Sequence, residues 1–358
     1  MLPVKANVVL RERERAVMSF FFKPSRARPT PAELVKAIRD SFLALDTKTA
    51  AKALEDVEKN IVSMRQMLSG DGEAEPSQEQ ISLIALEICK EDVLSLFVQK
   101  LPSLGWDARK DLVHCWGILL RQKVDSTYSC VEYIENHLDL LDFLVICYNN
   151  KEIALNCGSM LRECVKYSTL AKYVLESTSF ELFFKYVELP NFDIASDALA
   201  TFKDLLTKHE TEVSQFLSTH YEQFFELYDK LLSSSNYVTK RQSLKLLSEF
   251  LLETPNSQTM KRYISEVRYL KTMMALLKDS SKNVQILAFH IFKVFVANPN
   301  KPREIKDLLA NNHKELLMIL HNLPVSKDED EQYEEERELI INEIENNSRC
   351  ASSSVYIS

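Results

Sequence analysis

The stretch FDIASDALATFKDLLTK, from Phe192 to Lys208, decides the fold of this chain. Its apolar residues recur at steps of three and four, so they share one face of an α-helix. These residues are Ile194, Ala198, Phe202, Leu205 and Leu206. Asp193 stands where a short acidic side chain caps the first free backbone N–H groups. The spacing predicts one amphipathic helix with a small residue, Ala198, in the middle of its buried face.

The same template occurs at other places in the chain, each time with a small residue at the position of Ala198. Ser243 and Ala288 follow at intervals of 45 residues, and Cys157 and Cys115 precede at intervals of 41 and 42. A helical repeat with a period in the low to mid forties is typical of armadillo and HEAT proteins. We therefore predict an all-α, armadillo/HEAT-like helical-repeat solenoid, a right-handed superhelix of helix pairs and triplets, with essentially no sheet.

Helix-start signals and changes in composition divide the chain into a folded region and two ends. Thr30 and Pro31 form a helix start, because threonine caps well and proline suits the first helical position. We expect residues 29–345 to form the armadillo-like repeat domain, residues 1–28 a flexible extension and residues 346–358 a disordered tail. Before that tail, an acidic run followed by isoleucines predicts a terminal capping helix with an acidic solvent face.

Residues 1–17 have features both for and against a targeting peptide. Residues 1–17 contain four basic side chains, as targeting peptides do, but Glu12 and Glu14 oppose this interpretation. Met18 opens the segment MSFFFKPS and is a plausible alternative start of the protein.

Composition argues against most enzyme classes and several binding classes. The chain has 5 glycines and no glycine-rich phosphate loop, zinc-protease or nucleophile-elbow motif. A net charge of −8 opposes nucleic-acid binding. The 7 scattered cysteines form no CxxC pair and fit reduced core thiols in the cytosol or nucleus better than a disulfide framework. We expect a cytoplasmic protein. We expect no enzyme activity, cofactor, metal ion, small-molecule substrate or membrane span, and we interpret His290 as structural.

One surface stands out as a candidate partner-binding site. Matched helices of a repeat array stack side by side, so their polar faces form a continuous strip. On this basis Phe192, Arg241 with its neighbour Lys240, and the exposed parts of Lys271 and Met274 are expected to line a common groove. An ordinary solvated face is the alternative interpretation of the same pattern.

Four long segments of the sequence resemble the calcium-binding protein 39 family. They are EIALNCGSMLREC (152–164), FDIASDALATFKDLLTKH (192–209), NYVTKRQSLKLLSEFLL (236–252) and AFHIFKVFVANPNK (288–301). The resemblance covers roughly residues 18–345 and leaves residues 1–17 outside.

The resemblance implies a non-catalytic scaffold that binds protein kinases or pseudokinases of the germinal-centre class. In this family the concave face holds the kinase in its closed, active form, and a C-terminal pocket takes a short hydrophobic peptide of the Trp-Glu-Phe type. Phe192 and Arg241 match residues of the concave face, and Lys271 and Met274 match the peptide-binding end. A scaffold for Ndr-class kinases in morphogenesis, or an armadillo adaptor that tethers without activating, are the alternatives.

Overall fold

The computed structural model describes residues 29–47, 50–70, 75–324 and 331–354. The chain divides into two compact units, Met1–Cys130 and Val131–Ser358. The expectations for residues 1–28, including the targeting signal and the start at Met18, fall outside the described residues.

The first unit consists of paired helices. They are α1 (Pro31–Ala44), α2 (Ala50–Ser69), α3 (Gln78–Lys90), α4 (Val93–Lys100) and α5 (Trp106–Arg121), and α6 (Ser129–Glu135) crosses the boundary between the units. The predicted start of α1 is confirmed, because Thr30 and Glu33 form a reciprocal capping box. Helix α2 buries one apolar stripe and packs against both α1 and α5.

The second unit continues the all-helical pattern. Its helices are α7 (Asp139–Ile146), α8 (Ala154–Cys164), α9 (Ser168–Glu176), α10 (Phe183–Tyr186), α11 (Phe192–Thr207), α12 (Glu210–Thr219), α13 (Tyr221–Leu232), α14 (Tyr237–Leu251), α15 (Ser257–Tyr263), α16 (Val267–Leu276), α17 (Lys282–Ala297), α18 (Arg303–Asn311), α19 (His313–His321) and α20 (Glu331–Ser354). Short 3₁₀ turns connect several of them.

The predicted repeat is the organising feature of the second unit. Helices α8, α11, α14 and α17 pack in that order, each against the next. Their small residues, Cys157, Ala198, Ser243 and Ala288, are all buried, with at most 1% of their surface exposed. A small side chain at this position lets neighbouring helix backbones approach closely, because little volume separates them. The predicted fold class, an all-α array of armadillo-like helical repeats, is confirmed.

Helix α20 closes the second unit against α17, α18 and α19. It buries Ile340, Ile341 and Ile344, while Leu339 remains exposed, so the predicted capping helix forms. The helix extends to Ser354, into the segment for which the sequence predicts disorder.

Three further observations bear on the sequence predictions. The paired phenylalanines 183–184 and 224–225 are buried and belong to the core. Over the described ranges the only β-type pairing is an isolated bridge between Val124 and Thr127. None of the described helices combines the length and the apolar character needed to cross a membrane.

Candidate partner-binding surface

Two matched asparagines set the geometry of the candidate surface. Asn191 caps α11, and its side-chain oxygen accepts hydrogen bonds from the backbone N–H groups of Asp193 (3.1 Å) and Ile194 (3.2 Å). The prediction that Asp193 caps this helix was wrong, because Asn191, one residue before the helix, accepts these hydrogen bonds. Asn236 caps α14 in the same way.

The caps hold an aromatic residue at the first position of each helix. Phe192 opens α11 with 66% of its surface exposed, and Tyr237 opens α14 with 45% exposed. Each ring stands on a backbone fixed by the cap and by the packed helix behind it. Rigid, exposed aromatic side chains of this kind lose little conformational entropy when a partner covers them.

A groove of about 260 Å³ runs between α11 and α14 beside Phe192. It is lined by Phe192, Ser196, Leu199, Ala200 and Lys203 from α11, and by Val238, Gln242, Lys245, Leu246 and Glu249 from α14. At one end Lys203 forms an ion pair with Glu249 (Nζ–Oε2, 2.7 Å), which joins the two helices. The groove therefore has an apolar floor with charged groups at its end, as protein-binding surfaces have.

Arg241 lies outside this groove, on the side of α14 that faces α17. The 45-residue register places it in α14 where Ser196 stands in α11. Its neighbour one turn earlier, Tyr237, accepts a hydrogen bond from Asn283 of α17 (3.4 Å). Hydrogen bonds from Asn283 and Ser281 lower the pKa of Tyr237, and the Arg241 guanidinium contributes in the same direction. Arg241 is half-buried, and its Nε has no hydrogen-bond partner among the described residues.

Lys240 has a partner within the chain. Its ammonium forms an ion pair with Asp279 (2.9 Å), in the turn before α17. Asp279 also accepts a hydrogen bond from the backbone N–H of Ser281 (2.8 Å). Burial opposes the ionised form of Asp279, but the Ser281 N–H and the Lys240 ammonium outweigh it and lower the pKa of this carboxyl. Lys240 thus links α14 to the start of α17.

The structure does not gather the predicted residues into one groove. Lys271 and Met274 lie on α16, which packs against α13, α17 and α18 and contributes no residue to the α11–α14 groove. Lys271 is exposed, whereas Met274 has only 8% of its surface exposed. The expectation of a common groove was wrong. It assumed that α16 belongs to the series of packed helices α8, α11, α14 and α17, whereas α16 lies outside that series.

A second groove, of about 360 Å³, begins at Leu277, three residues after Met274, and neither Met274 nor Lys271 lines it. Its lining residues are Leu277, Lys278, Gln285, Glu315, Met318, Ile319, Asn322 and Leu323. Met318 has 60% of its surface exposed. Lys278 and Glu315 form an ion pair (2.7 Å) on its rim.

A network of polar side chains connects α11, which forms one wall of the α11–α14 groove, to α8 and Tyr148. Arg162 of α8 forms an ion pair with Asp197 of α11 (2.7 Å), and the Tyr148 hydroxyl donates to the same carboxylate (2.7 Å). Arg162 and Tyr148 also contact the hydroxyl of Thr201 (3.1 and 2.9 Å). Burial and the Asp197 charge raise the pKa of Tyr148, so its hydroxyl stays protonated and remains a donor.

Sequence reasoning missed most of the groove wall, including Leu199, Val238 and Glu249. The available signal was their position beside the buried stripe of α11 and α14, where an apolar residue such as Val238 (40% exposed) has no core role. Among the described residues, no group of three or more histidine, cysteine or acidic side chains is placed to hold a metal ion.

The structure and the groove together define an armadillo-like helical-repeat protein with an open surface suited to protein partners. A family model described as Mo25-like matches residues 20–347, so the chain belongs to the Mo25-like family.

Two relatives are similar to the chain over most of their length. The chain is 42% identical to the calcium-binding protein 39-like protein of Homo sapiens, over 91% of this chain and 98% of that protein. It is 40% identical to the Mo25-like protein of Schizosaccharomyces pombe, over 92% of this chain and 99% of that protein. A structure described as computationally designed armadillo repeat proteins for modular peptide recognition has a TM-score of 0.43 and 13% identity, covering 74% of this chain and 100% of that chain.

Proposed function

We propose that this protein is a non-catalytic cytoplasmic scaffold that binds a germinal-centre-class protein kinase or pseudokinase and stabilises its closed, active conformation. The exposed Phe192 on the capped start of α11, beside the α11–α14 groove, is the observation on which this proposal rests. Membership of the Mo25-like family supports the scaffold role.

Phe192 and Arg241 have complementary parts in this proposal. Phe192 supplies a large apolar contact that a partner covers at low entropic cost. Among the described residues the buried Nε–H of Arg241 has no acceptor, and the half-buried side chain can donate to a carbonyl or carboxylate oxygen of a partner. Lys240 acts indirectly, because its ion pair with Asp279 fixes the stretch of α14 that carries Arg241.

Activation follows from binding one conformation better than another. A kinase exchanges between open and closed arrangements, and a ligand shifts that equilibrium only by its difference in affinity for the two. A rigid helical surface that fits the closed arrangement holds the regulatory helix inward and preserves the Lys–Glu ion pair needed for phosphoryl transfer.

The second groove, which Met318 lines, is the proposed docking site for a short hydrophobic peptide of the same partner. Its apolar walls suit aromatic side chains, and Lys278 on its rim suits a carboxylate of the peptide. Two linked contacts raise the apparent affinity because the second binding event becomes intramolecular.

A kinase assay with a purified germinal-centre-class kinase tests the proposal. We expect the wild-type chain to stimulate the kinase, and Phe192→Ala and Arg241→Ala to weaken stimulation about tenfold at sub-saturating protein. Leu339→Ala is a matched control for Phe192, because Leu339 is equally exposed (67%) but lies on α20. Arg303→Ala, whose side chain is 93% exposed, is the control for Arg241.

The outcomes separate the proposal from its alternatives. Binding without stimulation makes the protein a tethering adaptor. Stimulation of an Ndr-class kinase instead moves the partner to that class. Equal stimulation by wild type, Phe192→Ala and Arg241→Ala contradicts the use of this surface.

A further inference from the structure

Two cysteines of the first unit lie side by side. Cys89 stands in the last turn of α3, and Cys130 is the second residue of α6. The Cys89 thiol donates a hydrogen bond to the sulfur of Cys130 (Sγ–Sγ, 3.6 Å). The Cys130 thiol in turn donates to the carbonyl of Ala85, one turn earlier in α3 (3.9 Å). Cys130 therefore lies against the end of α3, with its sulfur next to that of Cys89.

The two sulfur atoms are close enough to form a covalent bond with little movement. A disulfide bond is about 2.0 Å long, so the sulfurs, now 3.6 Å apart, have to approach each other by roughly 1.6 Å. Cys89 is the last residue but one of α3, where the final carbonyl groups of a helix have no N–H partner within it. The chain turns directly afterwards, through the left-handed backbone of Asp92 (φ 59°). Cys89 is therefore less constrained than a residue in the middle of a helix.

The two thiols differ in exposure, and this difference gives them separate roles. Cys89 is partly exposed, whereas Cys130 has 1% of its surface exposed. A reagent in solution therefore reaches Cys89 first. Hydrogen bonding with Cys89 and burial raise the pKa of Cys130, so Cys130 remains a thiol at neutral pH. An accessible cysteine beside a second, resolving cysteine is the arrangement found at redox-sensing sites.

The other cysteines whose side chains the structure describes lack this combination of access and proximity. Cys115 and Cys164 are fully buried, with 0% of their surface exposed. Cys147 and Cys157 form a second hydrogen-bonded pair, which lowers the pKa of Cys147, but their exposed fractions are only 7% and 0%. An oxidant in solution therefore reaches Cys89 more readily than any of these four thiols, and the buried pair serves as an internal control.

We propose that Cys89 and Cys130 form a reversible oxidation site, at which a hydroperoxide oxidises Cys89 and Cys130 then closes a disulfide that joins α3 to α6. Both cysteines are reduced in the structure. In a reducing compartment such a disulfide is transient and serves redox sensing. Neither cysteine lines the α11–α14 groove or the second groove, so the site is independent of the proposed kinase partner.

Both chemical steps balance in atoms and electrons. The Cys89 thiolate attacks one oxygen of hydrogen peroxide, the O–O bond breaks, and the hydroxide that leaves takes up the proton that Cys89 has lost. The sulfur of Cys130 then attacks the sulfenic acid of Cys89, the S–O bond breaks, and hydroxide leaves with the Cys130 proton as water. Two thiols and one hydrogen peroxide thus give one disulfide and two waters. A dithiol reductant returns two electrons and two protons and is itself oxidised to a disulfide.

The closeness of Cys130 also protects Cys89 from irreversible oxidation. A sulfenic acid reacts with further peroxide to give a sulfinic acid unless a thiol intercepts it. The Cys130 sulfur, at 3.6 Å, is placed to intercept it. Removal of Cys130 should therefore leave the sulfenic acid on Cys89, where a selective reagent can trap it.

Peptide mapping by mass spectrometry after peroxide treatment tests the proposal. The full chain carries Cys350→Ser in every sample, which leaves the six cysteines whose side chains are described. We expect hydrogen peroxide in small molar excess to protect two of these six thiols from alkylation and to produce one linked peptide pair, containing Cys89 and Cys130. Dithiothreitol should then restore both thiols.

Single substitutions separate the roles of the two cysteines. Cys89→Ser should abolish the linked peptide and leave Cys130 reduced. Cys130→Ser should instead raise the labelling of Cys89 by dimedone, a reagent for sulfenic acids, at least about fivefold. Cys147→Ser is the matched control, because it removes one thiol of the other hydrogen-bonded pair and should leave these results unchanged. If Cys130→Ser fails to fold, Cys89→Ser, at a partly exposed position, and the peptide map of the parent chain still decide the question.

Three results overturn the proposal. One is a loss of thiols that is absent from the parent chain or equal in the parent chain and in Cys89→Ser. Another is a linked peptide that joins Cys147 to Cys157 while Cys89 stays reduced. The third is a disulfide of Cys89 whose yield falls as the protein is diluted, because that bond joins two copies of the chain.

Discussion

The carboxylate of Asp197 in α11 lies directly over Gly158 in α8, so a Cβ at Gly158 would come within 1.9 Å of its Oδ2 atom. The same carboxylate binds Arg162 and Tyr148. Two neighbouring repeats are therefore joined by an ionic network that requires glycine at one position.

Gly158→Ala is predicted to destabilise the protein by about 2 kcal/mol or more, because the added methyl group displaces Asp197 from its network. Urea unfolding measures the change. Asp197→Ala removes the ion pair and the nearer of two obstacles, the other being the Tyr148 hydroxyl, so Gly158→Ala should cost less in that background. Equal costs of Gly158→Ala in both backgrounds would show that the close approach to Asp197 is unimportant.

The matched caps give a second prediction. Asn191→Ala and Asn236→Ala should each lower the free energy of unfolding by about 1 kcal/mol, because each leaves two backbone N–H groups without an acceptor. Asn191→Asp and Asn236→Asp keep the acceptor and serve as controls. If Asn191→Ala unfolds at the same urea concentration as Asn191→Asp, the cap contributes nothing to stability.

The Lys240–Asp279 ion pair predicts a pH dependence. The pKa of Asp279 is lower in the folded chain than in the unfolded chain, so its contribution to stability is present above about pH 4 and is lost as the pH falls through the folded pKa. Asp279→Asn should therefore destabilise the protein at pH 7 by about 1 kcal/mol and by less at pH 3. Urea midpoints of both proteins at the two pH values measure this. An Asp279→Asn cost that is constant between pH 3 and pH 7 would contradict the assignment.

Much of the fold could be predicted from the sequence because a helix with one buried face has apolar residues at regular intervals along the chain. The small residues Cys157, Ala198, Ser243 and Ala288 recur with the repeat, and each is buried at the predicted place. The start of α1 was also predictable, since a capping box lies within four residues of sequence.

The candidate site was harder to predict because it depends on contacts between distant residues. Spacing identifies Lys240 and Arg241 as polar positions on α14, but it does not reveal that Lys240 pairs with Asp279. Similarly, the spacing of apolar residues places Lys271 and Met274 on a helix but does not show which other helices pack against it. The closeness of Gly158 to Asp197 is likewise a property of the packed repeats and has no local signature.

The proposed preference for the closed form of a kinase is tested by measuring how kinase binding and nucleotide binding affect each other. The affinity of the chain for a germinal-centre-class kinase should be measured by calorimetry with and without a non-hydrolysable ATP analogue and Mg²⁺. We expect nucleotide to tighten scaffold binding about tenfold, and the scaffold to tighten nucleotide binding by the same factor. Phe192→Ala should weaken scaffold binding, whereas Leu339→Ala should not. Equal affinity for the kinase with and without nucleotide would show that the protein does not prefer the closed form.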